Sequence, residues 1–108
     1  MNRLKNRVQL IGNLGQNPEV KESQNGKKFV KFSIATNESY KNSEGEKAED
    51  TQWHNVMAWG KTAEIIENHC SKGDHIMVEG KLQHRKYDRE DGSTGYVTEV
   101  VAHEILMF

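Results

Sequence analysis

Gln52-Trp53-His54-Asn55-Val56-Met57-Ala58-Trp59, followed at once by Gly60-Lys61-Thr62-Ala63-Glu64-Ile65-Ile66-Glu67-Asn68-His69-Cys70-Ser71-Lys72-Gly73, is the stretch on which the fold turns. Alternation over 52–59 sets Trp53, Asn55, Met57 and Trp59 on one face and His54, Val56 and Ala58 on the other, the period of two of a pleated strand. After it, Thr62 can cap a helix and Glu64 suits its first turn. Ala63, Ile66 and Cys70 share one side, and Lys72-Gly73 offers a cationic last turn and a stop. A strand therefore runs directly into one short helix.

Upstream, Val30, Phe32 and Ile34 alternate with Lys31, Ser33 and Ala35 through Phe29 to Thr36, behind an Asn25-Gly26 turn. Val8 and Leu10 alternate with Arg7 and Gln9 and predict a first strand ending at the Gly12-Asn13-Leu14-Gly15 bend. Between strands two and three, Asn37 to Thr51 holds few apolar residues and reads as a long mobile loop. Downstream, Ile76, Val78, Gly80 and Leu82 alternate through strand four. Tyr96 to Val101 and the apolar Ile105 to Phe108 form strand five, beyond a hairpin tip at Asp91-Gly92. The 14 Val plus Ile against 5 Leu favour sheet over a helical bundle. The expected fold is all-β, a five-stranded OB barrel with one short helix between strands three and four.

At 108 residues the chain suits a single domain, 1–108, without an interdomain cleft. Leu, Ile, Val and Phe total 22, so the core is thin and subunit contacts are expected to supplement it. Membrane helices need an apolar run of roughly 18 residues, and none is present. Met1 to Leu10 carries charges where a signal peptide would be apolar, so a soluble, cytoplasmic protein is expected. The net charge of −1 conceals asymmetry, with 8 basic and 3 acidic residues over 1–41 against 3 and 8 over 42–79. A polyanion would have to use local clusters: Arg3, Lys5 and Arg7; Lys27, Lys28 and Lys31; Lys81, Arg85, Lys86 and Arg89.

Enzyme chemistry finds little support. Gly60-Lys61-Thr62 stands where a phosphate loop would, but Asn55 occupies the place of that motif's first glycine. Cys70 lies on the apolar helix side, and no serine sits in a Gly-x-Ser-x-Gly turn. The five histidines and single cysteine lack metal-ligand spacing, and Asp88 to Gly92 lacks the distal glutamate of a calcium loop. Neither a metal nor another cofactor is expected.

Trp53 and Trp59 share a face that the core does not need, because Val56 and Ala58 serve it from the other side. Both could still be core or subunit-interface residues. The alternative is a stacking platform, since every base offers a π face and aromatics amid cations bind single strands without reading sequence. Tyr87 beside Arg85 and Lys86, and Tyr40 beside Lys41, repeat the basic and aromatic pairing and favour the platform.

The chain resembles the bacterial single-stranded DNA-binding proteins of the tetrameric OB-fold type, in the family's order over nearly its whole length. The resemblance is carried by Asn6 to Gly15 with Asn17-Pro18-Glu19-Val20, by Phe32 to Tyr40, by Thr51 to Val56, and by Trp59 to Glu64. Lys72-Gly73-Asp74, Val78 to Leu82 and Thr98 to Val101 complete it. It implies a homotetramer that coats single-stranded DNA in replication, recombination and repair, associated with the nucleoid. Stacking would fall on Tyr40, Trp53, Trp59 and Tyr87, and backbone contacts on Arg3, Arg7, Lys61, Lys72, Arg85 and Lys86. Relatives often carry tryptophan at the first and last aromatic positions, where tyrosine stacks with less area. They also commonly continue into a flexible tail with an acidic tip that docks partner enzymes. This sequence ends at Phe108 without one, so recruitment of replication and repair proteins is not expected. Two rivals remain, a dimeric replication-restart primosomal protein of the same fold and an interaction-only OB domain with both tryptophans buried at subunit contacts.

Overall fold

A computed structural model describes residues 3–108, and the side chain of Arg3 lies outside what it describes. After a short 3-10 turn at Arg3–Lys5, the elements are β1 (Val8–Leu14), β2 (Glu19–Glu22), β3 (Lys28–Lys41), β4 (Lys47–Trp59), α1 (Gly60–His69), β5 (His75–Asp88) and β6 (Thr94–Met107). Five of the strands close into a barrel. β1 pairs β5, β5 pairs β6, β6 runs parallel to β4, β4 pairs β3, and β3 returns to β1 through Asn13↔Ala35 and Leu14↔Ile34. β2 is a short flap on β3. With α1 between the third and fourth barrel strands, this is the OB barrel expected from the sequence.

The alternation fills the barrel as anticipated. Val30, Phe32 and Ile34 from β3, Val56 and Ala58 from β4, Ile76 and Val78 from β5, and Val100 and Ala102 from β6 are all buried. α1 packs Ala63 and Ile66 against the core, joined by Cys70 just after its last turn. Burial pushes the Cys70 thiol up, away from its nucleophilic form.

Four expectations need correction. Residues 37–51 are not a mobile loop: β3 and β4 remain paired from Phe29↔Trp59 to Lys41↔Lys47, leaving only a tight turn at 42–46. There Asn42 Oδ1 accepts from the Glu44 and Glu46 amides. This outer ribbon has no core beneath it, so backbone ladders hold it without an apolar face. The first strand does not stop at Gly12 but runs to Leu14, and a Cβ at Gly12 would fall 2.0 Å from the Ala35 carbonyl oxygen. That glycine serves close approach of β3 and not a bend. α1 begins at Gly60, two residues before the expected cap, and Thr62 Oγ1 instead donates to the His103 carbonyl at 3.3 Å. It also ends at His69, before Lys72-Gly73, which lie in the following turn. Finally, the last strand is continuous across 94–107, with His103 left over where Glu79↔Glu104 gives way to Gly80↔Ala102, a β-bulge.

Candidate nucleic-acid interface

The outer face of β4 carries Trp53 and Trp59, six residues apart and so about 20 Å along the strand. Trp53 is 61% exposed and lies over Gly15, where a Cβ would come 2.3 Å from its ring. Trp59 leans on Phe29, its cross-strand partner, with ring centroids 4.7 Å apart and planes at 37°. The Lys31 ammonium stands 5.9 Å from the Phe29 ring. Met57, between the tryptophans, is buried despite sharing their face. Together Phe29, Lys31, Met57 and Trp59 line an open groove of about 390 Å³ with Gln83 and Arg85 of β5.

Arg85 and Lys31 form the groove's cationic centre, and both also line an adjoining hollow of about 420 Å³ with Tyr87, Tyr96 and Val97. Partial burial, and then the neighbouring Arg85 charge, lower the Lys31 pKa. Arg85 is aimed by a buried carboxylate: Glu99, 4% exposed, accepts from Arg85 Nε at 2.6 Å and from Gln83 Nε2 at 3.2 Å on the same Oε1. One charge therefore stays buried without being isolated, and the guanidinium's other donors are left for a ligand. Tyr87 lies flat over Gly95, whose Cβ would meet the ring at 2.3 Å, with the Arg89 guanidinium 5.8 Å from its centroid.

Trp59 and Tyr87 thus line two adjoining hollows that share Lys31 and Arg85, and Trp53 stands on the same wall of β4 as Trp59. Beside Trp59 a second hollow of about 410 Å³ is lined by Lys27, Lys28, Gly60 and Glu64. Lys61 is exposed in the first turn of α1 next to it. The Lys28 ammonium pairs with Glu67, which holds its pKa up. Lys72 sits in the turn after α1, its amide donating to Asn17 Oδ1 at 2.8 Å, while the Gly73 amide donates to Leu14. That places its backbone beside Leu14 and Asn17, which flank Gly15.

Tyr40, exposed, pairs across from Ala48 on the outer ribbon, about 17 Å along β3 from Trp53's partner Ala35. Arg7 is exposed and immediately precedes β1, whose first pair is Val8↔Gly80 of β5. Lys86 alternates away from Arg85 and covers Tyr96, with Nζ 6.0 Å from that ring. The Arg3 side chain lies outside the described residues. Phe29, Gln83, Tyr96 and Glu99 were missed as site residues, and Lys31 was noted only for its charge. A usable signal existed for Glu99: counting outward from the Asp91-Gly92 tip sets Gln83 opposite it.

Exposed flat rings and cations along an open, shallow groove suit a flexible polyanion with stackable rings. Residues 5–108 match the single-strand binding protein family. The chain is 42% identical over 103 residues to single-stranded DNA-binding protein 1 of Chlorobaculum tepidum, covering 94% of this chain and 64% of that protein. It is 40% identical over 102 residues to the single-stranded DNA-binding protein of Neisseria meningitidis, covering 94% and 59%. The chain thus spans about three fifths of the length of these relatives. Among solved structures, the Plasmodium falciparum SSB complex with ssDNA superposes with a TM-score of 0.84 at 27% identity, covering 95% of this chain and 94% of that one. A deletion mutant of the single-stranded DNA binding protein from Thermus aquaticus gives 0.81 at 26%, covering 95% and 50%.

Proposed function

We propose, for a chain that belongs to the single-strand binding protein family, a non-enzymatic role: it coats single-stranded DNA without reading its sequence, in replication, recombination and repair. The observation that carries this reading is the groove in which Trp59 and Tyr87 flank Lys31 and Arg85. Bases stack on the rings, which accept any base, while the cations neutralise phosphates. Within this reading Trp53, Trp59 and Tyr87 are the main platforms and Tyr40 an outlying one on the ribbon. Lys61, Lys72, Arg85 and Lys86, with Arg3 and Arg7 at the start of the chain, follow the backbone.

The working form in this reading is a homotetramer, cytoplasmic and nucleoid-associated. What supports assembly is apolar surface left open on the single chain, including Ile11 on β1. Titration with poly(dT) at two salt concentrations, followed by tryptophan emission, tests the reading: strong quenching with salt-dependent affinity is expected. Unchanged emission, with no binding by anisotropy, would sink it in favour of the interaction-only OB domain.

A further inference from the structure

Beyond Leu82 and Val100 the β5–β6 ribbon leaves the barrel and its strands pair only with one another; apart from Gly95 and Glu99, its residues are partly or fully exposed. One face carries Gln83, Arg85 and Tyr87, the groove described above. The other carries Leu82, His84 and Lys86 of β5, set against Val100, Thr98 and Tyr96 of β6. On this reverse face Tyr96 is 72% exposed, more than any other ring of Tyr or Trp among the described residues. Lys86 stands over it at 6.0 Å, and His84 Nδ1 and Thr98 Oγ1 share a hydrogen bond of 2.8 Å.

Two features connect this face to the proposed path. Leu82, Thr98 and Val100 share a cleft of about 230 Å³ with Trp53, so a ligand on Trp53 meets the base of the reverse face directly. From Val100 the ladder then leads through Thr98 to Tyr96, about 13 Å along β6. At the far end Tyr96 borders the 420 Å³ hollow with Arg85 and Tyr87, across the unpaired margin of β6.

We infer that Tyr96 and Lys86 form a further nucleotide position, one base stacked on the Tyr96 ring and its phosphate on the Lys86 ammonium, so that one strand grips the ribbon on both faces. This rests on the single-strand reading above. Occupancy by single-stranded DNA is favoured over a protein partner by the Lys86 ammonium over the exposed Tyr96 ring, with Asp88 following on the same face at the ribbon's end, and by the continuity of the face with Trp53 and with the Arg85 groove.

The test compares Tyr96→Ala, Tyr96→Phe and Trp59→Ala in the full chain, titrated with oligo(dT), alongside light scattering and photocrosslinking to a 5-iodouracil-substituted oligonucleotide. Tyr96→Ala should weaken binding roughly 5- to 140-fold, the range for one lost stack, with mass unchanged. Tyr96→Phe should bind like the parent, and the crosslink should map to Tyr96. If Trp59→Ala weakens binding while Tyr96→Ala does not, or if no crosslink forms at Tyr96, this inference fails and the general reading stands. A change of mass in Tyr96→Ala also overturns it, because the ring then faces another copy of the chain. If neither alanine variant loses affinity, this inference fails as well; if the parent chain itself does not bind oligo(dT), the single-strand reading falls.

Discussion

Arg85 donates from Nε to Glu99 Oε1 at 2.6 Å across the β5–β6 ribbon, joining a cation of the groove to the charged side chain that is buried among the described residues. The pair explains how an arginine on a free ribbon keeps one direction. Its removal has a defined cost. Arg85→Ala strands the carboxylate and should destabilise by about 1–3 kcal/mol, the lower part of the range for a buried pair because the arginine is a third exposed. Urea unfolding checks this. Adding Glu99→Gln to Arg85→Ala should recover part of the loss, and an additive pair of losses would contradict the coupling.

Trp53→Ala and Trp59→Ala should each weaken oligo(dT) binding by about 1–3 kcal/mol without loss of fold. The ground is their exposure on the outer face of β4, away from the core. Unchanged affinity in both would make them structural.

Lys31→Met separates stability from binding. The ammonium is crowded by burial and by Arg85, which lowers its pKa in the folded state. Below the folded pKa that cost is fully present, and it is relieved as pH rises through the folded pKa toward the unfolded one. The methionine variant should therefore match or exceed the parent's urea midpoint at pH 7. Its DNA affinity should fall, and the slope of log K against log salt should become shallower by about 0.7, one phosphate contact.

Gly95→Ala should disturb Tyr87 and spare the barrel, because the added Cβ would meet the Tyr87 ring at 2.3 Å on a ribbon outside the core. Weaker binding with an unfolding midpoint close to the parent's is expected. Gly80→Ala is the contrast. There the Cβ would fall 2.0 Å from the Val101 carbonyl oxygen, inside the β5–β6 ladder next to the bulge, and the unfolding midpoint should drop sharply.

The barrel was legible because burial writes itself as alternation: Val30, Phe32 and Ile34 enter the core while Lys31 and Ser33 do not. The outer β3–β4 ribbon was illegible for the same reason reversed. With Glu38 facing Asp50 and Ser39 facing Glu49, neither side needs apolar residues, and the ladder leaves no mark in composition. β2 is likewise exposed at all four positions. Of the site, the rings stood out by type and by their basic neighbours. The pairings that aim them, Trp53 on Gly15, Trp59 on Phe29 and Arg85 on Glu99, depend on register between distant segments, which a linear reading reaches only by counting from each turn.

The groove is open to solvent and is bounded by the wall of β4, by the 22–24 segment and by a ribbon that turns back at 89–93. On the single-strand reading, a polymer would enter it sideways, at any point along its length, with no need to be threaded. Chain ends become irrelevant: a closed circle of single strand should load as fast per nucleotide as a linear one, and protein should leave the middle of a covered stretch without waiting for its neighbours to clear a path.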